Sequence, residues 1–187
     1  MATAQPDMSA SNGPGCLYWT PLHFPPMTTA INPLSDILDG VSIPYAYKLG
    51  YVLNSYREPS FRAIEAKFAL TRPEILSLIF LGFRDGISAS DICDFSGHLK
   101  NNISRAVTAL EAKGLIRREP DAFDSRRLVI FITKNGRKLH DQFMPGLRAR
   151  EQAMIASLSS KEREDLTRLM RKLCAHAPAW SGLDHIA

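Results

Sequence analysis

Apolar residues recur three and four positions apart through most of the chain after residue 41, which is the spacing that buries one face of a helix. A first helix is predicted from Pro44 onward, because proline is favoured in the first turn of a helix. Pro59 is expected to kink or end that helix, since proline has no amide hydrogen to donate within it. The same spacing then resumes in a second segment that contains Phe61, Ile64 and Phe68.

Helix boundaries in the middle of the chain are marked by residues that favour caps. Thr71 and Glu74 are spaced as a capping box, in which each side chain bonds the other residue's backbone amide, and Ser88 with Asp91 repeats the pattern. Gly114 is a natural residue to follow a helix, because glycine adopts positive φ without strain. These signals predict a buried helix, a short helix and a longer helix in succession, with a short glycine-containing turn between the last two.

Two short runs of β-favouring residues follow the longer helix. Residues 115–118 and 128–132 flank a charged, turn-rich connection, which is the pattern of a β-hairpin. A helix-turn-helix that is followed directly by a two-stranded hairpin is a winged helix. The predicted fold class is therefore mainly α with a small β-hairpin, in which a winged helix-turn-helix domain is flanked by N- and C-terminal dimerisation helices.

The predicted limits of the N-terminal arm and of the C-terminal helices are set by proline and glycine residues. Their repetition near the N-terminus predicts an irregular arm. A helix capped by Thr133 is expected to be kinked or interrupted at Pro145, and a last helix is expected to end before Pro178. In chain order the predicted parts are the irregular arm at 1–40, the N-terminal dimerisation helix region at 41–68, the winged helix-turn-helix DNA-binding domain at 69–135, the C-terminal dimerisation helices at 136–176 and a tail at 177–187.

The flanking helices carry wider apolar faces than a winged-helix core can cover. We expect these faces to be buried in a twofold homodimer, which is the commonest closed assembly of one chain. Such a dimer would hold two recognition helices about 34 Å apart, one turn of DNA, and would bind a pseudo-palindromic operator in double-stranded DNA.

The positive charge is concentrated in the second half of the chain. Residues 1–97 hold 6 Lys and Arg against 9 Asp and Glu, a net charge of −3, whereas residues 98–187 hold 17 against 10, a net charge of +7. The positive half contains the hairpin and the helix before it, as neutralisation of phosphates requires.

Other classes of protein find little support in the sequence. The three cysteines and five histidines lack the spacing of a disulfide framework or a metal site. No nucleophile with a paired base, carboxylate cluster or phosphate-binding glycine loop is found, so no enzyme activity, catalytic residue, metal or cofactor is expected. No apolar run is long enough to cross a bilayer and no export signal is seen, so a cytoplasmic protein without a membrane partner is expected.

Five short pieces of sequence lie at informative spacings: ALTRPE at 69–74, ISRAV at 103–107, LEAKGLI at 110–116, DSR at 124–126 and ITKNG at 132–136. Together they resemble the MarR family of winged helix-turn-helix transcriptional regulators. The resemblance extends over residues 43–175. It implies a DNA-binding regulator, most simply a repressor that is released by a small aromatic or phenolic acid.

The longer helix supplies most of the predicted DNA contacts. Its apolar stripe of Ile103, Val107 and Leu110 defines the buried face, and none of residues 98–110 is acidic. The residues on or near the outer face are types that bond base edges or phosphates. They are His98, Lys100, Asn101, Asn102, Ser104, Arg105 and Thr108.

The connection of the hairpin supplies the remaining predicted DNA contacts, Asp124, Arg126 and Arg127. The family resemblance implies that Arg126 enters the minor groove and that Asp124 orients it. An exposed guanidinium suits a narrow and strongly negative groove.

Tyrosines are concentrated in the first helix, where they offer stacking surface and a hydroxyl group. The resemblance implies that small aromatic acids bind where this helix meets the DNA-binding part. Predicted ligand contacts are Tyr47, Tyr51, Asn54 and Arg72, although each tyrosine has core or dimer packing as an alternative role. Cys16 lies in the predicted arm, so no redox role is expected of it.

Two other functions fit the same features. One is a ligand-independent winged-helix activator or architectural DNA-binding protein. The other is a protein-interaction module whose basic surface binds an acidic partner. Specific and salt-sensitive binding to DNA fragments would separate both DNA-binding functions from the interaction module.

Overall fold

The computed structural model describes residues 33–181, which form two units that divide between Ser42 and Ile43. The first unit contains helix α1 (Pro33–Gly40). The second contains α2 (Pro44–Phe68), α3 (Arg72–Phe83), α4 (Ala89–Ser96), α5 (Lys100–Ala112), β1 (Ile116–Pro120), β2 (Leu128–Ile132), α6 (Lys134–Met154) and α7 (Ser160–Ser181). The mainly helical fold with a small hairpin is confirmed.

Helix α1 corrects the prediction of an irregular arm over residues 1–40, since residues 33–40 are helical. Pro33 and Gly40 stand at the two ends of this helix, where proline and glycine are favoured rather than disruptive. Asp36 lies in its first turn, where a negative charge is stabilised by the helix dipole. The rest of the predicted arm, including Cys16, lies outside the described residues.

The second unit is built around α3. Ile75, Leu78 and Leu81 of this helix are fully buried, and they pack in one cluster with apolar side chains from α2, α4, α5, β2 and α6. The predicted buried stripe of α5 is confirmed, since Ile103 and Leu110 are also fully buried. The core therefore lies under the helix-turn-helix and fixes which face of α5 is exposed.

The predicted capping boxes are confirmed. The backbone amide of Thr71 donates to Glu74 Oε2 at 2.6 Å, and that of Ser88 donates to Asp91 Oδ2 at 2.7 Å. Gly114 follows α5 with a φ of 66°, which is the left-handed conformation that ends a helix.

Strands β1 and β2 pair in antiparallel register from Ile116 opposite Ile132 to Pro120 opposite Leu128. A further bridge that the sequence did not predict joins Ile87 to Ile130, with Ile130 N–H donating to Ile87 O at 2.8 Å. This bridge attaches the wing to the segment between α3 and α4.

Proline ends none of the three helices in which a kink, an interruption or an end was predicted. Helix α2 continues through Pro59, α6 continues through Pro145, and α7 passes Pro178 and ends at Ser181, inside the predicted tail of 177–187. A proline removes one helical hydrogen bond, but packing on both sides can hold the helix. Next to Pro59, for example, Ser60 and Phe61 are buried and Ser60 Oγ donates to Tyr56 O at 2.7 Å.

Helix α7 buries none of its residues within the described chain. Leu166, Leu169, Met170 and Leu173 are each between 39% and 49% exposed, although they share one face. The N-terminal half of α2 is similar, with Leu49, Val52 and Leu53 exposed.

Candidate nucleic-acid interface

Helix α5 presents a hydrogen-bonding face opposite its buried stripe. Lys100, Asn101 and Asn102 form its first turn, and Ser104 and Arg105 follow, all of them exposed. The helix N-terminus carries partial positive charge, which adds to that of Lys100. No side-chain partner is found for Arg105 among residues 33–181, so its guanidinium is available to a base or a phosphate.

The two remaining predicted contacts of this region have local partners. His98 is half-buried, and its Nδ1 lies 3.1 Å from Ser96 O in the turn before α5. Thr108 is exposed, and its hydroxyl donates to Ser104 O at 3.1 Å, one turn earlier in the helix. His98 therefore contributes to the turn of the helix-turn-helix, whatever else it contacts.

The wing connection is ordered by its own side chains. Asp121 Oδ1 accepts the backbone amide of Phe123 at 2.8 Å, and Asp124 Oδ1 accepts that of Arg126 at 3.1 Å. Asp124 thus bonds the backbone of Arg126 rather than its guanidinium, which has no partner in the described part of the chain. Phe123 is fully exposed in this connection and was not singled out from the sequence.

Arg127 differs from Arg126, because its guanidinium is bonded within the chain. Nη2 lies 3.1 Å from Ser88 Oγ and 2.5 Å from Asp91 Oδ2, at the N-terminus of α4. Desolvation raises the pKa of Asp91, but the hydrogen bonds from Ser88 and Arg127 outweigh it and hold that pKa below its ordinary value. The sequence analysis named Arg127 as a DNA contact and Asp91 as a capping residue, but it did not predict that the two side chains bond each other.

A second ion pair joins the wing to α5, since the Arg118 guanidinium of β1 bonds Glu111 through Nε and Nη2. The hydrogen bond from Arg118 lowers the pKa of Glu111. On the same strand, the Arg117 guanidinium lies 4.6 Å from the centre of the Phe131 ring. Each strand region of the wing is therefore tied to a different helix of the helix-turn-helix.

Of the predicted ligand contacts, Tyr47, Tyr51 and Asn54 lie three and four residues apart on α2 and are exposed. Arg72, at the start of α3, is half-buried and forms a double hydrogen bond with Glu58, while its Nε lies 3.5 Å from Glu65 Oε1. The hydrogen bond from Arg72 lowers the pKa of Glu58. In the single chain, Arg72 is therefore paired with two carboxylates of α2.

A cleft of about 210 Å³ lies between α2 and α6. Phe68 and Phe143 supply aromatic surface, and Lys67 and Arg150 supply positive charge. The cleft includes Gly146, where the absence of a side chain leaves open space. None of the predicted ligand residues lines it.

Residues 33–181 contain neither a metal-binding cluster nor a membrane-spanning helix. No group of three or more His, Cys, Asp or Glu side chains there is placed to hold a metal ion. No helix in that part of the chain is long and apolar enough to cross a membrane.

The winged-helix segment matches a known family. Residues 70–127 match the model of the MarR family. Among curated proteins, the transcriptional regulator HosA of Escherichia coli O157:H7 is 27% identical over 104 residues, which are 56% of this chain and 77% of HosA. The HTH-type transcriptional repressor Rv2887 of Mycobacterium tuberculosis is 24% identical over 127 residues, which are 68% of this chain and 88% of that repressor.

Solved structures have the same fold. A MarR family regulator from Silicibacter pomeroyi superposes with a TM-score of 0.66 at 24% identity, over 82% of this chain and 98% of that one. MepR of Staphylococcus aureus, solved in complex with DNA, gives a TM-score of 0.61 at 26% identity, over 70% of this chain and 96% of that one. Rv2887 in complex with p-aminosalicylic acid gives a TM-score of 0.54 at 24% identity, over 70% of this chain and 98% of that one.

A helix-turn-helix joined to a two-stranded wing, with an exposed polar and basic face on its second helix, defines a winged-helix DNA-binding protein. The sequence matches extend this to the level of a family. Residues 70–127 match the MarR family, and the chain has the fold of MarR family regulators.

Proposed function

We propose that the chain is a homodimeric repressor that binds a pseudo-palindromic operator and is released by a small aromatic carboxylate. The observation that carries the DNA-binding part is the exposed face of α5 beside a wing that is tied to α5 through β1 and to α4 through the hairpin connection. In this proposal α5 bonds base edges in the major groove, and Arg126 occupies the adjacent minor groove.

The experiment that tests DNA binding is a gel-shift titration against fragments of the genome that encodes the chain, at two salt concentrations. We expect a subset of fragments to shift specifically, with affinity that falls steeply as salt rises. Arg105→Ala should need about 5- to 150-fold more protein to give the same specific shift, which corresponds to about 1–3 kcal/mol. Arg168→Gln is the matched control, because it removes one positive charge from an exposed surface pair with Asp165.

A wild-type chain that shifts no fragment would contradict the proposal and would favour the protein-interaction module. A specific shift that no small acid alters would leave a ligand-independent DNA-binding protein. The sign of regulation is tested by fusing a shifted fragment to a reporter gene, whose expression should fall when the chain is present.

The dimer is supported by two apolar surfaces that the single chain leaves exposed, the face of α7 and the N-terminal half of α2. Burying a leucine side chain contributes about 2 kcal/mol, so a face of four such residues is costly to leave in water. A twofold dimer that buries both surfaces removes this cost and places one α5 in each half-site.

The aromatic carboxylate is supported by residue chemistry and by one relative. Rv2887 was solved with p-aminosalicylic acid bound, and it shares the fold. On this chain, Tyr47, Tyr51 and Asn54 form an exposed stripe on the helix that also carries Glu58, the partner of Arg72. A ligand carboxylate would compete with Glu58 and Glu65 for Arg72, and the exchange would loosen the contact between α2 and α3.

A thermal-shift screen with p-aminosalicylic acid, benzoates and phenolic acids tests the ligand. A true ligand should raise the melting temperature and weaken the gel shift in the same concentration range. Arg72→Gln and Tyr51→Ala should remove the response if the predicted contacts bind the acid. Lys67→Gln and Gly146→Phe should remove it instead if the cleft between α2 and α6 does.

A further inference from the structure

We infer that Arg127 is a positioning residue that anchors the wing to the N-terminal cap of α4, and that it is not itself a DNA contact. This inference rests on the proposed DNA-binding function, and it assigns different roles to two adjacent arginines. Arg126 reaches the DNA, and Arg127 determines where Arg126 is held.

The anchor is a shared carboxylate oxygen. Asp91 Oδ2 accepts the backbone amide of Ser88 at 2.7 Å, the hydroxyl of Ser88 at 2.9 Å and the Arg127 guanidinium. The first bond closes the capping box that begins α4, together with the Asp91 amide that donates to Ser88 Oγ at 3.2 Å. The third therefore joins the wing to a carboxylate that is already fixed by a helix cap, so the arginine binds to a rigid acceptor.

The backbone of Arg127 carries this restraint to the tip of the wing. Its carbonyl accepts the amide of Asp121 at 2.8 Å, and its amide donates to Asp124 O at 2.9 Å. Both backbone groups of one residue thus close the connection that contains Arg126. Loss of the side-chain anchor should therefore move the whole connection, because both of these backbone hydrogen bonds are made by Arg127.

The charge of Arg127 is also neutralised inside the chain. A guanidinium that is paired with a carboxylate releases few counterions from DNA, so it should contribute little to the salt dependence of binding. The unpaired guanidinium of Arg126 should contribute fully. The tie from Arg118 to Glu111 on β1 does not replace the anchor, because it leads to α5 and not to the connection.

The test uses an operator isolated by in vitro selection with the full-length wild-type chain. Affinity is measured by fluorescence anisotropy over a series of salt concentrations, and contacts are mapped by hydroxyl-radical footprinting. The variants are Arg127→Gln, Asp91→Asn, their double variant and the conservative Arg127→Lys, with Arg126→Ala as the reference for a direct contact. Thermal melting checks folding, and Arg127→Lys keeps the test usable if Arg127→Gln does not fold.

We expect Arg127→Gln to weaken binding by about three- to tenfold, the net contribution of one hydrogen bond between partly exposed groups, with an unchanged salt slope. Footprint protection should be lost in the flanking minor groove and kept in the half-sites. Asp91→Asn should also weaken binding and lose the same part of the footprint. The double variant should bind no more weakly than the weaker-binding single variant, and Arg127→Lys should bind more tightly than Arg127→Gln. The inference is overturned if Arg127→Gln lowers the salt slope as Arg126→Ala does, and if the losses of affinity in Arg127→Gln and Asp91→Asn add up in the double variant.

Failure of the proposed function would look different, since no operator would be selected by the wild-type chain. In that case amide hydrogen exchange of residues 121–127 still tests the anchor in the free protein. Exchange should be faster in Arg127→Gln and in Asp91→Asn than in the wild type. In the double variant it should be no faster than in the single variants. Unchanged exchange in both single variants would overturn the anchor without any reference to DNA.

Discussion

Lys113 Nζ lies 2.7 Å from Glu74 Oε1, and this pair joins the C-terminal end of α5 to the first turn of α3. Glu74 is 1% exposed and also accepts both donors of Thr71. Lys113 donates in addition to Ala69 O at 2.9 Å. The end of the candidate recognition helix is thus fixed to the buried start of the central helix.

Lys113→Met should therefore destabilise the fold by about 2 kcal/mol, because it leaves the buried Glu74 carboxylate without its counter-ion. The double variant Glu74→Gln and Lys113→Met should lose less than the sum of the single variants, since the two groups act together. Urea unfolding of the full chain measures this. Arg168→Gln is the control, because an exposed pair should be worth no more than about 0.5 kcal/mol. Equal losses in Lys113→Met and in the control would refute the role of the pair.

The same carboxylate predicts a dependence on pH. Burial raises the pKa of Glu74, but the hydrogen bonds from Lys113 and Thr71 outweigh it and leave the pKa lowered. A lowered pKa in the folded state stabilises the fold above the unfolded-state value, about 4.3 for Glu, and this stability is lost as pH falls through the folded value. The stability difference between wild type and Glu74→Gln should therefore narrow below about pH 4.3. Urea midpoints from pH 6 to pH 3 would show a constant difference if the pKa is not lowered.

Gly82 in α3 and His140 in α6 form a close helix contact. The imidazole of His140 is buried, its Nδ1 lies 2.8 Å from Asp141 Oδ1, and a Cβ at Gly82 would overlap the ring. Gly82→Ala should cost about 1–3 kcal/mol by overpacking, and adding His140→Ala should recover part of that loss. Gly146→Ala is the matched control, because its Cβ meets open space and alanine should stabilise α6 by about 0.5–1 kcal/mol. Thermal unfolding that ranks the two glycine variants equally would contradict the packing argument.

The sequence patterns correctly predicted the elements that depend mainly on residues adjacent in sequence. The capping boxes at Thr71 and Ser88, the stripe on α5 and the hairpin were all predicted, because caps, helical periodicity and strand runs are written in adjacent residues. Proline was overestimated as a helix breaker at Pro59 and Pro178, since packing elsewhere decides whether a lost hydrogen bond ends a helix.

The ties between elements could not be predicted. Arg127 meets Asp91 across 36 residues of sequence, and Lys113 meets Glu74 across 39. Nothing in either local pattern marks such a pair, because the contact exists only once the hairpin and the helices have packed. The DNA contacts and the ligand contacts themselves remain predictions.

The proposed dimer has a mass that can be measured. Light scattering at micromolar concentration should report twice the 20.8 kDa of one chain. Leu169→Glu should convert the protein to monomers, because a charge placed in the apolar face of α7 costs several kcal/mol when it is buried. Phe83→Glu is the control: Phe83 is 92% exposed on the winged-helix side, and its loss should leave the mass unchanged. A wild-type monomer that still binds the operator tightly would refute this assembly.

Arg105 should read bases in the major groove. It is exposed on a helix whose opposite face is buried, so the packed helix fixes the backbone position from which its side chain extends. A bidentate contact to guanine is worth about 1–3 kcal/mol of discrimination. Arg105→Ala should therefore weaken operator binding by that amount and relax the preference at one base pair of each half-site.

Arg126 should act differently, because it lies in the hairpin connection and is proposed to occupy the minor groove, whose donor and acceptor pattern is degenerate. Arg126→Ala should lower the slope of log affinity against log salt by about one per subunit and leave the base preference of the half-sites nearly intact. Both variants are measured on the operator and on its single-base substitutions over the same salt series. Unchanged affinity in both would refute the proposed surface. A fall in melting temperature that accounts for the loss of affinity would instead identify a structural arginine.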